Sequence, residues 1–137
     1  MATRRKQWVY SPPKPKKPKV PDHVKQAVTQ RATELIESVL KPQYIKAPPE
    51  NPKFNYLTDI FSKWYRNYFY FCGTYASPGP HAISPTFETR FARMEYGTNG
   101  KYTLSYFRHT GQWWELYADL TLEDAFQHIC DMPHFQP

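Results

Sequence analysis

The stretch KWYRNYFYFCGTY, Lys63–Tyr75, decides the fold. It is dominated by aromatic residues and contains no proline. Aromatic and β-branched side chains favour a pleated, half-buried backbone. Arg66-Asn67 interrupts the run, which places a turn there between a strand over Leu57–Tyr65 and a second over Tyr68–Ala76. Successive strand residues point to opposite faces. Taken as one alternation, Trp64, Arg66, Tyr68 and Tyr70 lie on one side, and Tyr65, Asn67, Phe69 and Phe71 on the other. The two phenylalanines should face the core. Tyr68 and Tyr70 are then expected on the opposite face, beside Arg66.

Working toward the C-terminus, SPGPHAISP (Ser77–Pro85) reads as a loop, and a third strand follows over Thr86–Tyr96. Asn99-Gly100 within GTNG favours a tight hairpin turn, because both residues tolerate positive φ. A fourth strand is expected over Lys101–Arg108, a second tight turn at Thr110-Gly111, and a fifth strand over Gln112–Tyr117. Thr121 with Asp124 three residues on is a near match to a capping box. It opens a helix whose apolar stripe is Leu122, Ala125, Phe126 and Ile129.

Toward the N-terminus, residues 42–53 hold four prolines and read as a linker. Before it, Val24, Ala27, Val28, Ala32, Leu35, Ile36, Val39 and Leu40 recur at helical spacing. Asp22 is the expected N-cap of this helix, and Pro42 its expected end. The expected architecture is α+β: an N-terminal helix, an antiparallel meander of about five strands, a C-terminal helix, and an extended basic N-terminal arm. The arm comprises residues 1–21, and residues 22–137 form a single domain that contains the linker.

Charge is unevenly placed. The chain of 137 residues carries a formal net charge of +6. Residues 1–21 hold Arg4, Arg5, Lys6, Lys14, Lys16, Lys17 and Lys19 and no acid. The rest balances eleven basic against twelve acidic side chains, a net of −1. Five prolines keep the arm out of helix and favour an extended, polyproline-like course, with QWVY (Gln7–Tyr10) as an apolar island. A basic arm on a neutral body can contact phosphates and release counterions without reading sequence. Tyrosines beside Arg66, Arg90, Arg93 and Arg108 could form a platform on which bases stack.

Other chemistry finds less support. His128, Cys130 and His134 offer metal-ligand types, but His128 and Cys130 point apart on a helix, so no metal site and no cofactor are expected. No Gly-x-Ser-x-Gly and no phosphate-cradling glycine loop occurs. No apolar run reaches the length of a membrane span, and no secretory signal is visible. Two cysteines, Cys72 and Cys130, suit a reducing cytoplasm.

From about residue 54 onward, the phrases YFYFCGTYASPGP, FARMEY, SYFRHTGQWWELY and TLEDAFQHI resemble an uncharacterised family of small bacterial proteins, a domain of unknown function. The resemblance implies a prokaryotic cytosolic protein and brings no site residues. The order of helix, strands and helix also resembles the double-stranded RNA-binding fold. However, Asp119, Glu123 and Asp124 stand where that fold needs a basic cluster.

The expected function is non-enzymatic binding of nucleic acid, RNA or DNA. Arg4, Arg5, Lys6, Lys14, Lys16, Lys17 and Lys19 would contact phosphate, while Arg66, Tyr68 and Tyr70 would stack with bases. One alternative is a protein–protein interaction module or homodimer using the aromatic face. A second is a small enzyme using Arg108, His109 and Glu115.

Overall fold

The computed structural model describes residues 19–137 other than 49, 51, 81 and 98. Of the arm's seven cations only Lys19 is among them; the other six and the QWVY island lie outside the described residues. Helix α1 spans Asp22–Leu35 and continues without a break through a π-helical turn, Ile36–Leu40, into a short helix α2, Lys41–Tyr44. Strands β1 (Tyr56–Tyr65), β2 (Tyr68–Ala76), β3 (Thr86–Tyr96), β4 (Tyr102–Phe107) and β5 (Trp113–Leu120) follow, then helix α3, Leu122–Asp131. A 3-10 turn, Pro133–Phe135, closes the chain. The strands lie in sequence order, each antiparallel to the next, so the sheet is the expected meander.

Two expectations about the first helix need correction. Pro21, not Asp22, is the N-cap; Asp22 is the first helical residue, and no side chain caps the end. The Pro21 carbonyl accepts from the Val24 and Lys25 amides at 3.0 and 3.1 Å. Pro42 does not end the helical run, which continues to Tyr44. Lys41 N–H donates to the Ile36 carbonyl, a five-residue bond placed one step before Pro42. A wider turn at this point relieves the clash between a proline ring and the carbonyl four residues back. The irregular linker therefore begins at Ile45, not at Pro42.

One sheet face carries the core. Val28, Ala32, Ile36 and Leu40 of the first helical run pack with Ala125, Phe126 and Ile129 of α3 onto Ile60, Phe69, Phe71, Ala92, Met94 and Leu104. Val39 and Ala27 stay exposed, so the buried stripe is narrower than the apolar pattern suggests. Phe71 meets both Phe126, at 5.9 Å and edge-on, and Phe91, at 6.2 Å. Trp64 fixes α1 to the sheet: its Nε1 donates to Thr29 Oγ1 at 3.1 Å and to the Lys25 carbonyl at 3.3 Å. Lys41 pairs with Glu37 within the helical run at 2.6 Å and ties its end to β1 through Asp59 at 3.2 Å.

The alternation read through residues 64–71 fails at the hairpin. The two-residue turn pairs Trp64 with Phe69 and Tyr65 with Tyr68, and cross-strand partners share a face. Trp64 thus stands on the core face, 4.9 Å from the Phe69 ring, not beside Tyr68 and Tyr70. Arg66 turns the corner with φ of 55°. In the next hairpin only Gly100 of the Asn99-Gly100 pair takes positive φ, 74°. Asn99 works through its side chain instead, accepting from the Lys101 amide and donating to Asp119, each at 3.1 Å. The C-terminal helix starts as expected, with Thr121 Oγ1 accepting from the Asp124 amide at 3.2 Å.

Truncation of Phe71, fully buried between α3 and the sheet, should cost about 3–5 kcal/mol. Urea unfolding of Phe71→Ala against the parent chain measures this; a loss under about 1 kcal/mol would mean that the ring is not central to the core.

Candidate functional site

Among the described residues the helices cover one face of the sheet only. Across the other, the register sets Lys63, Tyr70, Arg93, Ser105 and Glu115 side by side from β1 to β5. Arg90 stands opposite Cys72 on the same face. Arg90 and Arg93 are three residues apart, and a regular strand would send them to opposite sides. A β-bulge removes the conflict. Phe71 pairs with Ala92 and Cys72 with Arg90, which leaves Phe91 as the extra residue. Phe91 and Ala92 are both buried in the core, and both arginines are left on the open face.

The arginines lie over aromatic rings. The Arg93 guanidinium is 4.6 Å from the Tyr68 ring and 4.8 Å from the Trp113 ring. The Arg90 guanidinium is 4.6 Å from the Tyr70 ring. Tyr70 also meets Trp113 at 5.7 Å, and Phe107 meets Trp113 edge-on at 5.2 Å. At the rim, Arg66 stacks on Tyr65 at 5.3 Å. Each such contact contributes about 0.5–1 kcal/mol where exposed. Together they hold cations over apolar surface.

This arrangement corrects the expected platform. Tyr70 lies on the open face but is only 5% exposed, so its ring cannot receive a base. Tyr68 is half-buried beneath Arg93. Arg66 accompanies Tyr65, not Tyr68. The rings left open are Tyr65, 55% exposed, and Phe107, 46% exposed. Neither was singled out from sequence. Phe107 and Trp113 flank a predicted turn with a strand on each side, which was the available signal for a paired aromatic rim. Lys19 is exposed.

Arg108, His109 and Glu115 are not brought together. Arg108 lies over Trp114 at 4.3 Å, and Trp114 shares a face with its partner Tyr106. Glu115 pairs with Ser105 on the open face. His109 is exposed in the turn closed by the Arg108 amide and the Gln112 carbonyl, 2.8 Å apart. The ring of His128 stacks on Tyr117 at 4.3 Å, and that of His134 meets Tyr106 edge-on at 4.9 Å. Among the described residues no group of three His, Cys, Asp or Glu side chains is placed to hold a metal.

Among the described residues, cavities lie on both sides of the sheet. One, of about 350 Å³, lies between α1 and α3, where Arg31 pairs with Glu123 beside Cys130. Another, also about 350 Å³, lies between the starts of α1 and α3 and includes His23, Lys101 and Tyr102. A third, about 390 Å³, opens at the edge of β3, lined by Glu88, Thr89, Arg90, Phe107 and Trp113. Among the described residues no helix is long and apolar enough to cross a membrane.

A family model described as Domain of unknown function (DUF3024) matches residues 20–137, and the chain belongs to that family. The match takes in the first helix as well as the sheet and α3. No curated protein and no solved structure is similar enough to the chain to match.

Burial, reinforced by the neighbouring Tyr96, pushes the Tyr102 phenol up to about 12 from 10.0. A raised folded-state pKa means that the neutral phenol is favoured in the native state. Its contribution is complete below pH 10 and is lost as pH rises toward 12, up to about 2.7 kcal/mol for a two-unit shift. Stability against urea measured between pH 9 and 12 should therefore fall less steeply for Tyr102→Phe than for the parent chain. Identical slopes would show that Tyr102 titrates alike folded and unfolded.

Proposed function

We propose that this family member is a non-enzymatic protein that binds single-stranded nucleic acid, RNA or DNA, with its cationic arm gripping phosphate and the open sheet face meeting bases. The observation that carries this reading is where the cations are joined to the body. Seven of them, with no acid, precede Asp22. The arm enters α1 at the end of the sheet that holds the β1–β2 turn, since Trp64 reaches the Lys25 carbonyl there. Tyr65, Arg66, Tyr68 and Arg93 lie at that same end. The junction of arm and body thus lies at the same end of the sheet as this aromatic and guanidinium surface, which supports their acting together. Phosphate contacts supply affinity that is indifferent to sequence, and exposed rings supply stacking of about 1–3 kcal/mol per base.

The open face itself carries Glu88, Glu95 and Glu115 among its arginines and is not a uniformly basic surface. That balance supports giving the electrostatic work to the arm. The same balance, with Tyr65 and Phe107 exposed, favours a second reading in which the face is a protein interface or a homodimer contact, where tyrosine, tryptophan and arginine are enriched. Both cysteines are free, which supports placing the protein in the reducing cytoplasm. Arg108 and Glu115 stand on opposite faces, so the geometry lends nothing to a catalytic trio.

Val20 is buried at 3% exposure, so the informative deletion removes residues 1–18 and keeps that anchor. It takes away Arg4, Arg5, Lys6, Lys14, Lys16 and Lys17. Binding of a labelled single-stranded oligonucleotide over a salt series should show a slope smaller by up to about four to five for the shortened chain. Equal slopes would assign the binding to the sheet alone. Absence of binding by the full chain, with dimerisation seen on sizing, would replace this reading with the interface reading.

A further inference from the structure

Strand β3 is longer than its neighbour. Strand β2 accompanies it back to Thr86, but pairing with β4 stops at Ala92, opposite Tyr106. Among the described residues no strand pairs with Thr86–Phe91 on the β4 side. Bulges bend a strand and increase its twist, and here the parting of β3 from the β4–β5 hairpin begins next to the bulge at Phe91. The resulting cleft is the one of about 390 Å³ lined by Glu88, Thr89, Arg90, Phe107 and Trp113. That volume lies at the small end of the range for ligand pockets, about 300–1,000 Å³, and suits one planar heterocycle.

We infer that this cleft receives a single unpaired guanine of a bound strand, an inference that rests on the nucleic-acid reading above. Glu88 and Arg90 are two residues apart on one strand and face, with backbones about 6.6 Å apart. A carboxylate accepts through two oxygens, and a guanidinium donates through a planar fork. Guanine matches both. Its N1–H and N2–H are adjacent donors on one edge, and its O6 and N7 are adjacent acceptors on the next. Adenine and cytosine offer a single amino group beside acceptors, and uracil a single N–H between two carbonyls. Neither pattern uses both carboxylate oxygens.

The surroundings suit such an occupant. The Arg90 guanidinium is held 4.6 Å from the Tyr70 ring at the wall of the cleft. Glu88 meets Lys63 at 3.7 Å, a long exposed contact that a base can displace at little cost. Phe107, 46% exposed and edge-on to Trp113, presents a ring for stacking. In a duplex the N1 and N2 edge of guanine is already engaged by cytosine, so the cleft selects unpaired strands.

The test uses the full chain and fluorescence anisotropy with a uridine oligomer bearing one central guanine, compared with the same oligomer bearing inosine, adenine or uracil there. Guanine should bind roughly tenfold tighter than adenine or uracil, as expected for one bidentate base contact. Inosine, which lacks the N2 amino group, should fall between. Glu88→Gln, an exposed and isosteric change, should abolish the preference, bringing the guanine oligomer level with the plain uridine oligomer, while the loss of one negative charge shifts the affinity of all four oligomers together. Equal affinity for all four oligomers would overturn the guanine inference and leave the nucleic-acid reading standing. A preference that survives in Glu88→Gln would place base recognition elsewhere. If the full chain binds none of the oligomers, the nucleic-acid reading fails and the guanine site with it.

Discussion

The extra residue at Phe91 is the constraint on which the rest of the molecule depends. Without it, a strand of eleven residues would present Arg90 and Arg93 to opposite faces. One guanidinium would then face the core, where an unpaired charge is prohibitively costly. By placing Phe91 and Ala92 in succession on the buried side, the bulge spends two apolar residues on the core and frees both arginines for the open face. It also marks where β3 and β4 cease to pair, and so where the cleft begins. Core packing, the cationic surface and the candidate pocket share one local cause.

The two faces of the sheet are stabilised by different physics. On the helix side, aromatic rings meet one another at distances of 4.9–6.2 Å, and stabilisation comes from burial. On the open side, cations lie over aromatic rings, and the Lys63–Glu88 pair is exposed. Exposed ion pairs contribute at most about 1 kcal/mol and weaken with salt. Guanidinium stacking depends less on net charge, because the arginine also covers apolar surface with its stem. This explains how a nearly neutral body keeps an arginine-rich surface. Cys72, on the open side of β2, is fully buried, and that burial pushes its thiol up.

Much of the fold was legible from local chemistry. The bounds of β2 and β3 follow from aromatic and β-branched runs bracketed by glycine and proline. The start of α3 follows from Thr121, whose hydroxyl satisfies an amide that the helix cannot. The site was legible only in part. Reading Trp64 with Tyr68 failed because a two-residue turn, not strand periodicity, sets which side chains share a face across a hairpin. Tyr70 was rightly placed opposite the phenylalanines, but its burial came from Arg90 and Trp113, which approach from other strands. Pro42 was read as a terminator because sequence does not show that a π-turn ahead of it can absorb the missing donor.

The sequence by itself determined the element types, their order, the meander and the concentration of positive charge ahead of Asp22. These depend on side-chain spacing, turn residues and charge counts within a few positions of one another. Only the tertiary structure decided which face each arginine occupies, which tyrosines are covered, and where the sheet parts to form a cleft. Those outcomes turn on register, and register is fixed by one extra residue whose burial is rewarded only when the partner strand and α3 are in place.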